Sequence, residues 1–202
     1  MAGPNGAGKT TLVRQGPLDE LLPRAQFLNA DELTRELLRA HGVRDFAEAS
    51  ATMLHQTFVA AAERIFSETE SLLRQGKTVC VETVLSTRKY CPLVEAVRDS
   101  GGGVFLIYVA LRSPELAQAR VRERVRLGGH DVPPEKVTTR WHRSLENLAW
   151  FAARSTRFWV FDNSDANPET PPQLLAEGSD GFCRILLPDF PKLTSVLKTL
   201  QH

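Results

Sequence analysis

Nine residues near the start, Gly3-Pro4-Asn5-Gly6-Ala7-Gly8-Lys9-Thr10-Thr11, restrict what this chain can become more than any other stretch. They fit the spacing G-x-x-x-x-G-K-[ST], with Thr11 as a second hydroxyl behind it. Glycines at 3, 6 and 8 let a backbone turn tightly and approach a ligand with no Cβ in the way. Amides pointing into such a loop, followed by the positive end of a helix, form a cradle for phosphate oxygens. The pattern sends Lys9 to the β/γ-phosphates of a nucleotide and the Thr10 hydroxyl to Mg²⁺. The competing reading is a Gly-rich turn that happens to cap a helix. It leaves the four fixed positions of that spacing, Gly3, Gly8, Lys9 and Thr10, without a reason.

What precedes the loop is unusual. A P-loop follows a buried strand, yet only Met1 and Ala2 stand before Gly3, so the first strand is largely missing from the sequence. The expectation is a start assigned too late or a clipped chain, rather than a sheet that manages without that strand.

The rest of the chain alternates. A helix from Lys9 is weakened at Gly16-Pro17 and stops at Pro23. Gln26 to Asn29 reads as a short strand delivering Asp31, which can cap a helix from Glu32 to Ala40. A long helical stretch runs from about Phe46 to Gln75, then a buried strand over 78–82 and a helix over 86–99. A strand over 104–111 leads into Ser113-Pro114-Glu115, a strong helix start, and that helix breaks at Gly128-Gly129. Another helix begins near Pro133-Pro134, and the last clear strand covers 157–161. Residues 165–181 read as a linker or loop, followed by a strand over 182–187 and a helix over 191–200. This order implies an α/β fold with a parallel sheet covered on both faces and ligands at the strand C-termini.

Composition narrows the partners. The 202 residues suit one domain with a small appendage. A formal net charge of +1 calls for neither nucleic acid nor a membrane surface. Three cysteines, an odd number, make no disulfide framework. No signal peptide and no apolar run of membrane-spanning length are visible, so a cytoplasmic location is expected.

Three further elements carry chemistry. In Asn29-Ala30-Asp31-Glu32, the Asp31 carboxylate sits at a strand's C-terminal edge, where it can take the proton of an attacking hydroxyl or merely cap a helix. Glu82-Thr83 ends the next strand, with Ser86 close behind; an acid there can orient Mg²⁺ through water or hold a substrate hydroxyl. Arg120, Arg122, Arg124 and Arg126 share one helix, followed by Gly128-Gly129-His130-Asp131 and a second helix with Arg140, Arg143 and Asn147. A glycine-hinged segment between Arg-bearing helices suits a phosphoryl-transfer lid over about 120–143, although a solvated Arg face paired with Glu115 and Glu123 accounts for some of these residues.

Together these residues resemble the zeta-toxin-like P-loop kinases, also labelled predicted ABC-type ATPases. The resemblance rests on Ala2 to Thr11, Asn29-Ala30-Asp31, Glu82-Thr83-Val84-Leu85-Ser86, the run Arg124 to Pro133, Arg140, Arg143 to Leu148, and Asp162-Asn163-Ser164, in order across about residues 2–164. It implies a three-layer P-loop NTPase with an adenylate-kinase-like core and a helical lid, occupying 1–164, with 165–202 as linker and C-terminal appendage. It also implies ATP- and Mg²⁺-dependent phosphorylation of a hydroxyl on a UDP-activated amino sugar, and a possible antitoxin partner. Carried over by position, Gly3, Pro4, Asn5, Gly6, Ala7, Gly8, Lys9, Thr10 and Thr11 hold the nucleotide, joined by Arg120 and by Asn163 near the adenine. Asp31 is the general base, with Lys9, Arg124 and Arg140 on the phosphates. Asn29, Asp31, Glu82, Thr83, Ser86 and His130 face the acceptor. The departures are the short first strand and a short stretch between Ala40 and Thr78 where larger toxins hold the sugar.

Other classes fit less well. An ABC transporter ATPase lacks support because no LSGGQ-type signature and no apolar strand ending in Asp-Glu occur. A GTPase needs Asn-Lys-x-Asp, which Asp162-Asn163-Ser164-Asp165 is not. A kinase for another small metabolite or nucleotide, or an inactive nucleotide-binding module acting through a protein partner, remains open.

Overall fold

Through Asp162 the strands and helices follow one another in the expected order. A computed structural model describes residues 1–15, 25–167 and 170–200. The expected break at Gly16-Pro17 and the stop at Pro23 lie outside the described residues. The first helix, α1, is Lys9–Gln15. Then come β1 (Gln26–Asn29), α2 (Ala30–Ala40), α3 (Ala51–Arg74), β2 (Val79–Glu82) and α4 (Cys91–Asp99). They are followed by β3 (Phe105–Ala110), α5 (Pro114–Arg126), α6 (Pro134–Ala153), β4 (Arg157–Asp162), β5 (Gln173–Ser179), β6 (Phe182–Ile185) and α7 (Pro191–Lys198). Among the described residues no helix is long and apolar enough to cross a membrane.

Two helices start later than their sequence pattern. The long helix α3 begins after Ser50, whose hydroxyl accepts from the Met53 amide, because a side-chain cap satisfies an otherwise orphaned donor. Helix α4 begins at Cys91 rather than Ser86, with a proline in its first turn.

The chain forms two compact units. The first contains Met1–Lys9, Thr83–Val121 and the described residues from Val132 onward. In it β3 pairs in parallel with β4, β4 antiparallel with β5, and β5 antiparallel with β6. The sheet is therefore mixed. Tyr108, Trp141, Phe158, Leu148, Leu175 and Leu193 are fully buried in its core. The polar ends of two of them are satisfied: Trp141 Nε1 donates to Leu111 O at 2.9 Å, and Tyr108 Oη lies 2.9 Å from Ser144 Oγ.

The short stretch before the P-loop is held on both sides. Ala2 bridges Thr83 and Tyr108 in parallel. Its amide donates to Ile107 O at 2.7 Å, its carbonyl accepts from Val109 N at 2.8 Å, and Met1 O accepts from Thr83 N at 3.0 Å. Ala2 thus pairs as a strand residue on both sides, directly before the loop.

Residues 165–181, read as linker or loop, hold β5, which corrects that reading. Gly178 favours a loop by residue type alone. It lies in the strand because a Cβ there would stand 2.0 Å from Phe182 O and 2.5 Å from the Phe158 ring.

The second unit contains the described residues of Thr10–Glu82 together with Arg122–Asp131. Its β1 and β2 pair in parallel, Gln26 opposite Val79 through Asn29 opposite Glu82. Leu28, Ile65 and Leu72 make its core, with Ala30, Leu33, Val79 and Val81 packed against them. Helix α3 supplies Ile65 and Leu72 at i, i+7, two turns apart on one face. Strand β2, expected to be buried, is half-buried along its whole length.

Candidate active site

The P-loop belongs to the first unit through Lys9. Gly3, Gly6 and Gly8 have φ of 144°, 76° and 81°, conformations in which a side chain is strained. Space forbids one as well: a Cβ on Gly3 would stand 2.2 Å from Val109 O, and one on Gly8 2.5 Å from Asn163 Nδ2. Asn163 Nδ2 in turn donates to Ala7 O at 2.9 Å, so it braces the loop directly. Lys9 is buried and donates to Gly3 O at 2.9 Å and Pro4 O at 3.1 Å. Pro4 and Ala7 are buried with it. Asn5 is also buried, and its Oδ1 has no hydrogen-bond partner among the described residues. A loop with these three glycines, a buried ammonium and a strand-held entry has the features a phosphate cradle requires.

Other candidates of the first unit surround this loop or lie apart from it. Arg120 Nη2 donates to Asp165 O at 2.8 Å; burial pulls the Arg120 guanidinium below its usual pKa, while Asp162 and Asp165 oppose the shift. Thr83 Oγ1 accepts from Leu85 N at 3.1 Å. Leu85 has φ 60°, rare for a leucine, and its carbonyl accepts from Asn147 Nδ2 at 2.8 Å. Ser86 and Arg140 are half-buried, and neither has a hydrogen bond or ion pair to another candidate among the described residues.

In the second unit, one carboxylate links the hydroxyl behind the P-loop to the end of β1. Glu82 Oε2 accepts from Thr10 Oγ1 at 2.9 Å and from Asn29 Nδ2 at 3.0 Å. Thr11 is exposed. Mg²⁺ takes one or two protein oxygens and keeps several waters. A hydroxyl and a carboxylate oxygen this close form a hard-oxygen pair of the kind that ion prefers, so the residues present fit it.

Asp31 does not cap α2, which corrects one of its two expected roles. The N-cap is Asn29, whose Oδ1 accepts from Asp31 N at 2.8 Å and from Glu32 N at 3.3 Å. Asp31 therefore lies in the first turn with its carboxylate available to other partners, and 41% of the side chain is exposed. Its Oδ2 is 3.5 Å from His130 Nδ1 and 3.9 Å from Arg124 Nη1. Burial lowers the Arg124 pKa and Arg35 adds to that, against the favourable charges of Asp31, Glu82 and Asp131. Arg124 Nη2 donates to His130 O at 3.0 Å, and Arg124 Nε is buried without a hydrogen-bond partner among the described residues.

Three sets of supporting contacts escaped the sequence reading, although Leu85, Asn147, Asp162 and Ser164 lie in stretches it quoted. Phe46 and Phe58 stack 5.8 Å apart and wall His130. Arg112 Nε donates to the buried Asp162 at 2.7 Å, and Asp162 Oδ1 accepts from Ser164 N at 3.0 Å, fixing the turn that carries Asn163. Leu85 and Asn147 shape the loop after β2. None has a local signature: an aromatic pair twelve positions apart reads as core, and a leucine gives no sign of a left-handed backbone.

Residues 1–148 match the AAA domain family, AAA_33. Among curated proteins none matches the chain. A crystal structure of AvrRxo1-ORF1:-ORF2 with ATP is similar, with a TM-score of 0.72 and 17% identity over 96% of this chain and 63% of that one. The PezAT chromosomal toxin-antitoxin system of Streptococcus pneumoniae gives 0.52 and 17%, over 80% of this chain and 65% of that one. The chain thus spans less than two thirds of the length of these relatives, and at such identity the likeness establishes a shared P-loop α/β fold.

Proposed function

This chain belongs to the AAA domain family, and from that premise we propose that it is an ATP-dependent kinase that passes the γ-phosphate to a hydroxyl of a small acceptor such as a UDP-activated amino sugar. The observation that carries the reading is Asp31. Its carboxylate is released from capping by Asn29, half-exposed, and set beside an imidazole and a guanidinium. A module that only binds nucleotide has no use for that arrangement; a base that must accept a hydroxyl proton does. A short first strand would favour an inactive module by weakening the support of the loop; Ala2 pairs with both Thr83 and Tyr108.

The roles follow from residue chemistry. The loop amides and Lys9 hold phosphate oxygens, and Thr10 with Glu82 holds Mg²⁺, which offsets phosphate charge when bound. Asn29 keeps the Glu82 carboxylate aimed at Thr10. Asp31 takes the acceptor proton, while Arg124 and Arg140 stabilise charge that develops on the transferring group. Arg120 and Asn163 keep the loop in shape on the nucleotide side, and Thr83, Ser86 and His130 complete the acceptor side. The relatives are complexes of two proteins, AvrRxo1-ORF1:-ORF2 and PezAT, and a protein antitoxin is the matching partner for this chain.

Incubation with ATP, Mg²⁺ and a panel of UDP-sugars and nucleosides, read by mass spectrometry, should show one acceptor gaining a single phosphate. Lys9→Ala and Asp31→Ala should each abolish the product while circular dichroism stays native. Full activity in Asp31→Ala removes Asp31 as the base. A wild type that binds ATP but modifies no acceptor leaves only the binding module.

A further inference from the structure

His130 has a more specific place than the acceptor side of a lid. It is 5% exposed, edge-on to Phe46 with centroids 5.4 Å apart and tilted on Phe58 at 4.8 Å. Two rings on one side leave its nitrogens to face Arg124 and Asp31. Nε2 lies 3.2 Å from Arg124 Nη2. A guanidinium nitrogen only donates, so Nε2 is the acceptor and carries no proton. The neutral ring therefore bears its hydrogen on Nδ1, the nitrogen that stands 3.5 Å from Asp31 Oδ2. A shift of about half an ångström brings that pair to hydrogen-bond distance, the kind of tightening expected when an active site fills.

At 3.9 Å, Asp31 and Arg124 fall short of a hydrogen-bonded pair. A guanidinium paired directly with a carboxylate suppresses its basicity and occupies its own donors. Here Nη2 of Arg124 is committed to the His130 ring and carbonyl, and Nε retains a buried donor with no partner among the described residues. Taking Asp31 as the base, as proposed above, we infer that His130 is a positioning residue: held in its Nδ1–H form by Arg124, it presents a neutral donor to Asp31 and keeps cation and base from closing into a directly hydrogen-bonded pair. Phe46 and Phe58 hold the ring plane, and the Arg35 guanidinium lies over the Phe46 ring, 5.1 Å from its centroid. The same separation leaves Arg124 a donor to give to an incoming phosphate.

The test has a spectroscopic and a kinetic arm, both on the full chain. Long-range proton–nitrogen spectra, with His130 assigned by its loss in His130→Gln, should show the Nδ1–H form at neutral pH and a loss of that preference in Arg124→Ala. Asparagine places an N–H near Nδ1, whereas glutamine places its amide near Nε2. His130→Gln should therefore lower kcat about 10- to 100-fold with the KM for ATP nearly unchanged, and His130→Asn should recover most of it. A proton found on Nε2, or equal kcat in His130→Gln and wild type with both folded by thermal melting, overturns the inference. A wild type inactive on every acceptor refutes the kinase reading instead, and the tautomer still decides whether His130 stands between the two charges.

Discussion

Gly3 shows how far one missing Cβ decides the P-loop. Its φ of 144° is outside what a side chain tolerates, and the atom it would meet is Val109 O, a backbone oxygen fixed in β3. Gly128 has φ 83° with nothing within 4 Å of where a Cβ would stand, so it isolates the conformational cost from the clash. Strain alone costs about 1–3 kcal/mol. Gly128→Ala should lose stability in that range by urea unfolding, and Gly3→Ala should lose clearly more and also lose ATP binding. Equal losses would mean that Val109 does not set the limit. The pattern at positions 3, 6 and 8 was legible in the sequence because a backbone conformation leaves a residue-type signature. Leu85, at φ 60°, left none.

Between strand and helix, Asn29 does three tasks with one amide. Its Oδ1 caps α2 through two backbone amides, its Nδ2 holds Glu82, and it sits opposite Glu82 in the β1–β2 register. Either Asn or Asp can cap; the sequence reading gave that role to Asp31, and the fold gives it to Asn29, whose Nδ2 also meets Glu82. An amide can donate to that carboxylate; a second carboxylate would repel it. Asn29→Ala should cost about 1–2 kcal/mol of stability, read by urea unfolding, from the lost cap and the weakened hold on Glu82. Asn29→Asp should keep the cap yet be destabilised at neutral pH and recover as the solution is acidified, when one of the two carboxyls takes a proton. A flat pH response in Asn29→Asp would show that Glu82 does not face it. Helix ends followed the same logic elsewhere: Ser50 and Pro92 set starts that periodicity alone placed near 46 and 86.

Across the first unit, the two tyrosines report on integrity at alkaline pH. Burial pushes Tyr90 up to about 12, and burial pushes Tyr108 higher still, with the Ser144 hydrogen bond opposing. An unfolded tyrosine titrates near about pH 10. Between that value and about 12 the folded chain keeps protons that the unfolded chain has released, so stability is full below about pH 10 and falls as pH rises through the window. Ultraviolet titration should show tyrosinate appearing together with unfolding, not before it, and Tyr90→Phe should make the decline shallower. Tyrosinate near pH 10 with native circular dichroism would contradict the burial of both rings.

Much of this protein is written in short-range pattern. The P-loop spacing, the alternation of strand and helix, and the arginines around Gly128-Gly129 depend on residues within a turn or a strand of one another, and periodicity and capping chemistry read such distances. What lay beyond it depends on meetings of distant residues. Glu82 reaches Thr10 across 72 positions, and Asn147 reaches Leu85 across 62. Strand β5 forms in a Pro- and Gly-rich stretch because β4 offers a ladder and Phe158 leaves no room for a side chain at Gly178. Asp31 is released from the helix end because Asn29, not Asp31, was placed to satisfy it. A buried polar group must find a partner wherever the fold puts one, and that choice is made in space rather than along the chain.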